Sequence, residues 1–173
     1  SSAASDVYKR QALKNGTFTV SGKGKMPESA MPKVAQKKKI KKIVIKNGVT
    51  ELPEDAFRDC SKATVITIAP TVNRIGAMAF YNTGVEKITI PKKAGNLGYG
   101  MLQNCKNLKK LTIPGNFWAR EPKKAANKKN LIGSLILGND NSNIVKKVKF
   151  STNFNGDCQS FVGDCELSLI HIS

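Results

Sequence analysis

A solenoid of stacked coils, each carrying one short parallel β-strand, is the fold predicted by three observations on this chain. Residues 42–60 (KIVIKNGVTELPEDAFRDC) align with residues 65–83 (VITIAPTVNRIGAMAFYNT) and 87–105 (KITIPKKAGNLGYGMLQNC), apolar slot on apolar slot. The last strand residue of each unit recurs as Ile45, Ile68, Ile90, Ile113, Leu137 and Phe150, at steps of 23, 22, 23, 24 and 13 residues. Aromatic residues make up only 6% of the chain, as expected where the core is a ladder of aliphatic side chains.

In chain order, the first segment is set aside together with the last. Residues 6–11 (DVYKRQ) back-translate as GAT GTG TAT AAG AGA CAG, whose reverse complement encodes LSLIHI, residues 167–172. Residues 1–11 and 167–173 therefore resemble a translated transposase mosaic-end adapter on an open environmental (metagenomic) fragment. Such scars are excluded from fold reasoning. They hold Lys9, Arg10 and Asp6, so the formal charge of +17 falls by only one without them. They also hold the one histidine, His171. A fragment open at both ends leaves any signal or anchor outside it, and no apolar run approaches the ~18 residues of a membrane span.

The strands are predicted by alternation. Two residues before each strand end stand Ile43, Ile66, Ile88, Leu111, Leu135 and Val148, and five before it Ile40, Ala63, Val85, Leu108, Ile132 and Val145. Period-two alternation of branched side chains marks a half-buried strand, so six strands are expected to stack in parallel. Proline or glycine (Gly48, Pro70, Pro91, Pro114, Gly138) then ends each strand and starts the bend. Beyond the bend come Val49, Val72 and Ala94, then Leu52, Ile75 and Leu97, then the pairs Ala56–Phe57, Ala79–Phe80 and Met101–Leu102. A short helical turn is expected there, directing the larger residue between coils. Cys60, Thr83, Cys105 and Cys165 hold one corner in phase, where a small buried residue is required and cysteine packs as a small hydrophobe. Cys158 is out of phase, and with no second ligand pair beside it and Cys165 no metal site is expected.

The array has a defect. After Ile113 the apolar slots meet Phe117 and then Arg120, and residues 114–130 lose the pattern. Residues 131–137 (LIGSLIL) restore a strand, so one diverged coil and one shortened coil are expected, with Trp118 filling a widened gap.

These residues carry a family resemblance. The units IVIKNGVTELPEDAFRDC and ITIAPTVNRIGAMAFYNTGVEKITIP resemble the BspA-like class of leucine-rich repeat, with strand, turn, apolar–x–x–Ile/Leu, Ala-Phe and a Cys/Thr corner. Residues 15–32 (NGTFTVSGKGKMPESAMP) are similar to the strand-rich segment that opens such arrays. The implied organisation is a β-rich N-terminal cap at 12–39 and a leucine-rich-repeat array at 40–166. The resemblance further implies a binding module without catalysis, on a surface-exposed or secreted microbial protein that adheres to host proteins or other cells.

Stacking turns phase into rows on the surface. Three residues before each strand end lie Lys42, Val65, Lys87, Lys110, Ser134 and Lys147; one before it lie Val44, Thr67, Thr89, Thr112, Ile136 and Lys149. Lys41, Lys109 and Lys146 flank the first row, interrupted by Glu86. This stripe is the candidate binding site, its partner a protein or an acidic glycan or wall polymer. The plain alternative is that lysines keep a regular sheet soluble and block edge pairing. Lys37–Lys39, with Lys41 and Lys42, are expected on a loop entering the first strand.

Catalysis lacks its groups. Outside the tails no histidine can serve a nucleophile, and Glu51, Glu54, Asp55 and Asp59 alternate with Arg58 as a solvated corner rather than a glycosidase pair. The glycines of residues 22–25 (GKGK) and 95–100 (GNLGYG) lack the strand–loop–helix setting of a phosphate loop. No cofactor is implied. Nucleic acid is disfavoured because no aromatics interleave with the basic rows. The expectation is a non-catalytic macromolecule-binding module; its rivals are a structural spacer in a larger extracellular protein and an intracellular polyanion binder.

Overall fold

The computed structural model describes residues 10–114, 118–119 and 147–151. The chain opens with an antiparallel hairpin, β1 (Arg10–Lys14) and β2 (Thr17–Ser21). Its turn residues Asn15 and Gly16 have φ of 50° and 78°, the left-handed pair a two-residue hairpin loop demands. β1 takes in Arg10 and Gln11, and Gln11 Nε2 donates to Ser29 O at 3.1 Å. After β3 (Gly24–Lys25) come a 3₁₀ turn at Glu28–Ala30 and the one-turn helix α1 (Val34–Lys37). Lys37 thus closes a helical turn rather than lying on a plain loop, because Gln36 Oε1 accepts from Lys33 N at 2.9 Å and caps it.

The array supplies β4 (Lys42–Ile45), β5 (Val49–Leu52), β6 (Val65–Ile68), β7 (Arg74–Ile75), β8 (Lys87–Thr89), β9 (Asn96–Leu97), β10 (Lys110–Ile113), β11 (Trp118–Ala119) and β12 (Lys147–Phe150). They form two sheets, ordered β1-β2-β4-β6-β8-β10-β12 and β11-β9-β7-β5-β3. Every pairing after the hairpin is parallel. The expected strand per coil is present, and a second strand follows it where Leu52, Ile75 and Leu97 turn inward. Between the sheets lies one core. Ile40, Ala63, Val85 and Leu108 are buried in phase, as are Ile43, Ile66, Ile88, Leu111 and Val148. Each Ile, Leu or Val among these contributes about 1.5–3 kcal/mol when fully buried.

The Ala-Phe segments differ from the expected helical turn. Asp55 N, Phe57 N and Asp59 N donate to Ala77 O, Ala79 O and Tyr81 O of the next coil at 2.7–2.9 Å. Met78 N, Phe80 N and Asn82 N donate likewise to Tyr99 O, Met101 O and Gln103 O at 2.9 Å. A helix would spend these donors within its own coil; here every second residue reaches the neighbour, and left-handed residues (Asp55, Asp59, Met78, Asn82, Gly100, Asn104) allow it. The large residues do fill the space between coils. The Phe57 and Phe80 rings stack 5.7 Å apart, and Phe18 meets Phe57 edge-on at 6.1 Å.

Two register findings concern the diverged coil. First, Ala119 pairs with Leu97 and Trp118 with Asn96. In register, Ala119 rather than Arg120 therefore stands level with Leu52, Ile75 and Leu97, one residue sooner after its strand than in the other coils. Trp118 takes the position of Glu51, Arg74 and Asn96. Second, β10 is flanked by β8 and β12, with Ile113 in register with Phe150. Both edges of β10 are thus filled; the strand expected at residues 131–137 lies outside the described residues.

Candidate functional site

Strand alternation sets the candidate face. In β4, β8 and β10 the inward Ile43, Ile88 and Leu111 are buried, so Lys42, Lys87 and Lys110 before them are exposed. Backbone register carries the row from Thr17 to Lys42, Val65, Lys87, Lys110 and Lys147. Since neighbouring strands lie about 4.8 Å apart, Lys87 and Lys110 are adjacent, and the backbone of Lys147 continues the row. Val65, 47% exposed, is the apolar break between Lys42 and Lys87.

The second row holds Thr19, Val44 and Thr67 in register on one side, and Thr89, Thr112 and Lys149 on the other. Thr67, Thr89 and Lys149 are exposed and Thr112 is half-buried. Lys41 and Lys109 are exposed at the strand entrances, with Thr64 and exposed Glu86 between them in phase. Lys146 lies outside the described residues. Among the described residues none of these lysines is held in an ion pair, so their charge is directed at solvent and whatever approaches from it.

The other singled-out groups are tied into the scaffold. Arg58 Nη1 lies 3.2 Å from Asp55 Oδ1, its Nε is 3.8 Å from Asp59 Oδ2, and the guanidinium sits 4.5 Å over the Tyr81 ring. The hydrogen bond that Arg58 donates to Asp55 raises its pKa further above its already high value. Glu51 is not drawn into this group: it stands in β5, in register with Lys25 and Arg74. The Cys60 and Cys105 thiols are free and fully buried. Burial pushes Cys60 up to about 12, and burial likewise raises Cys105. Thr83 Oγ1 lies 3.3 Å from Cys105 Sγ, which donates to Phe80 O at 3.1 Å. The corner is thus a packed, hydrogen-bonded seam. Cys158 and Cys165 lie outside the described residues.

One feature escaped the sequence reading. Asn104 Nδ2 donates to Asn82 Oδ1 at 3.0 Å, and Asn82 Nδ2 to Asp59 Oδ1 at 2.9 Å, forming a side-chain ladder across three coils. Its signal was present, since an Asp or Asn stands one residue before each Cys/Thr corner.

Among known proteins, a family model described as a BspA type leucine rich repeat region, in six copies, matches residues 33–155. No curated protein matches the chain. A leucine-rich repeat protein from Eubacterium ventriosum ATCC 27560, known from its crystal structure, is similar at 23% identity with a TM-score of 0.39. That similarity covers 60% of this chain and 41% of the other, so the chain spans less than half the length of that relative. No helix among the described residues is long and apolar enough to cross a membrane. With its repeat model matched over most of its length, and with the same slots buried coil after coil, the chain belongs to the BspA-type leucine-rich-repeat family.

Proposed function

We propose that this chain is a non-catalytic recognition module of a cell-surface or secreted microbial protein, adhering to host or microbial surface ligands through its lysine–threonine face. The observation that carries the reading is the alignment of exposed Lys42, Lys87 and Lys110 at one register position of the seven-stranded sheet. A solenoid repeats its contacts at the strand spacing, so many weak contacts act together on one extended partner. A field of one sign also concentrates acidic partners at the face and is screened by salt. The family resemblance adds the surface or secreted setting, and with it a protein, an acidic glycan or a wall polymer as partner.

Replacing Lys42, Lys87, Lys110 and Lys147 by Gln tests the face. Exposed charge contacts are individually small, but four together are expected to weaken binding to an immobilised acidic glycan by roughly tenfold or more. The thermal midpoint should barely move, since none of the described three is in an ion pair. Equal retention of wild type and variant would reject the face.

A further inference from the structure

Granting that the lysine–threonine face binds an anion, we infer that its ligand is a linear polyuronate, an acidic polysaccharide with a carboxylate and free hydroxyls on every sugar, lying along the solenoid axis. The inference rests on the two rows taken together. The first row presents Lys87 and Lys110 on neighbouring strands, with Lys147 next in register and Lys42 two strands away across Val65. It crosses the strands at about 4.8 Å per step. A compact anion, such as one phosphate, would meet one or two of these lysines and leave the others idle. A chain whose charge recurs with each monomer meets them all.

The second row lies two residues further along each strand, roughly 6.6 Å away. It presents hydroxyls at Thr67, Thr89 and Thr112, and then the exposed Lys149. A threonine hydroxyl both donates and accepts, which suits sugar hydroxyls lying beside a line of carboxylates. A polymer bearing both groups on each monomer engages both rows at once. The flexible four-carbon stem of lysine also reaches carboxylates that alternate between the flanks of such a chain.

Other polyanions use the face less fully. Single-stranded nucleic acid draws on aromatic platforms for its bases, and the two rows present only Lys, Thr and Val among described residues. Polyphosphate engages the lysines and accepts from the threonine hydroxyls, but it has no hydroxyl to donate back to them. Two open clefts among the described residues lie elsewhere: one of about 850 Å³ lined by Glu51, Arg74 and Tyr99, and a shallower one of about 590 Å³ beside Val34, each with acidic groups of its own.

The test uses the full chain and polygalacturonate as probe, against fully methyl-esterified polygalacturonate, linear polyphosphate and oligo-dT at one salt concentration. Polygalacturonate is expected to bind about tenfold more tightly than any of the other three. Galacturonate fragments should gain affinity steeply from two to four sugars as further strands are engaged. Thr67, Thr89 and Thr112 replaced by Val, which keeps the β-branched shape, should weaken polygalacturonate more than polyphosphate and so erase the preference, while the thermal midpoint holds. Lys87→Gln with Lys110→Gln should weaken both polymers. If polyphosphate or oligo-dT binds as tightly as polygalacturonate, or the threonine variant keeps its preference, the polyuronate is wrong and the cationic face stands. If polygalacturonate binding survives the lysine changes or methyl esterification, or no polymer binds, the face itself is overturned.

Discussion

At the corner of each described coil a thiol or hydroxyl (Cys60, Thr83, Cys105) is sealed from water, and that sealing has a pH signature. The neutral Cys60 thiol is favoured in the folded chain, its pKa pushed up to about 12 from the ordinary 9.0 chiefly by burial, against the opposing pull of Lys37. The sign follows from linkage: the unfolded chain releases this proton first, so the contribution is complete below about pH 9 and is lost as pH climbs towards 12. The gap in unfolding free energy between wild type and Cys60→Ala, from urea melts, should therefore be constant from pH 6 to 8. It should then narrow by up to ~1.4 kcal/mol per pH unit above 9. A gap that stays level to pH 11 would show that the thiol is not buried in its neutral form.

At the scale of the element, the coils are held at a distance that leaves no room for a β-carbon at certain turns. A Cβ on Gly98 would lie 2.1 Å from Ala77 N and 2.3 Å from Gly76 C, backbone atoms that no rotamer can move aside. Gly98→Ala is thus expected to force the coils apart and cost about 1–3 kcal/mol or more, read as a lowered urea midpoint. A midpoint equal to wild type would mean the stacking is looser than the Phe57–Phe80 contact implies. The strands of the first sheet were legible in the sequence because alternation is a local property of an extended chain. The Ala-Phe turn was not, because apolar spacing is compatible with a helix. What decides the matter is that Phe57 N finds its acceptor at Ala79 of another coil.

Across the whole molecule, charge opposes compaction while it favours binding. With a formal charge of +17 the folded chain repels itself, and raising salt from about 0.01 to 0.15 M shortens the screening length from roughly 30 to 8 Å. Added salt should then raise the thermal midpoint while lowering affinity for an acidic polymer, two opposite slopes from one cause. Relief of Glu86, as Glu86→Gln, should strengthen binding, since its carboxylate interrupts the row between Lys41 and Lys109. Parallel slopes, or an unaffected Glu86→Gln, would show that the face does not bind through its charge. The candidate face was legible as far as phase reaches, from Lys42 to Lys110. Lys147 shares that phase, but its direct pairing with Lys110, across a stretch longer than one coil, is a register that no local pattern contains.

By itself the sequence determined the repeat, the buried slots, the Cys/Thr corner and the outward lysine and threonine rows, because coil phase maps directly onto position when like coils stack. Only the tertiary structure decided the rest. It put β12 against β10, slid Ala119 into the slot that counting assigned to Arg120, and added the second sheet and the Asp59–Asn82–Asn104 ladder. Each of these is a choice of hydrogen-bond partner in a different coil, and a donor's partner more than twenty residues away is chosen by packing and register, which act only once the coils are stacked.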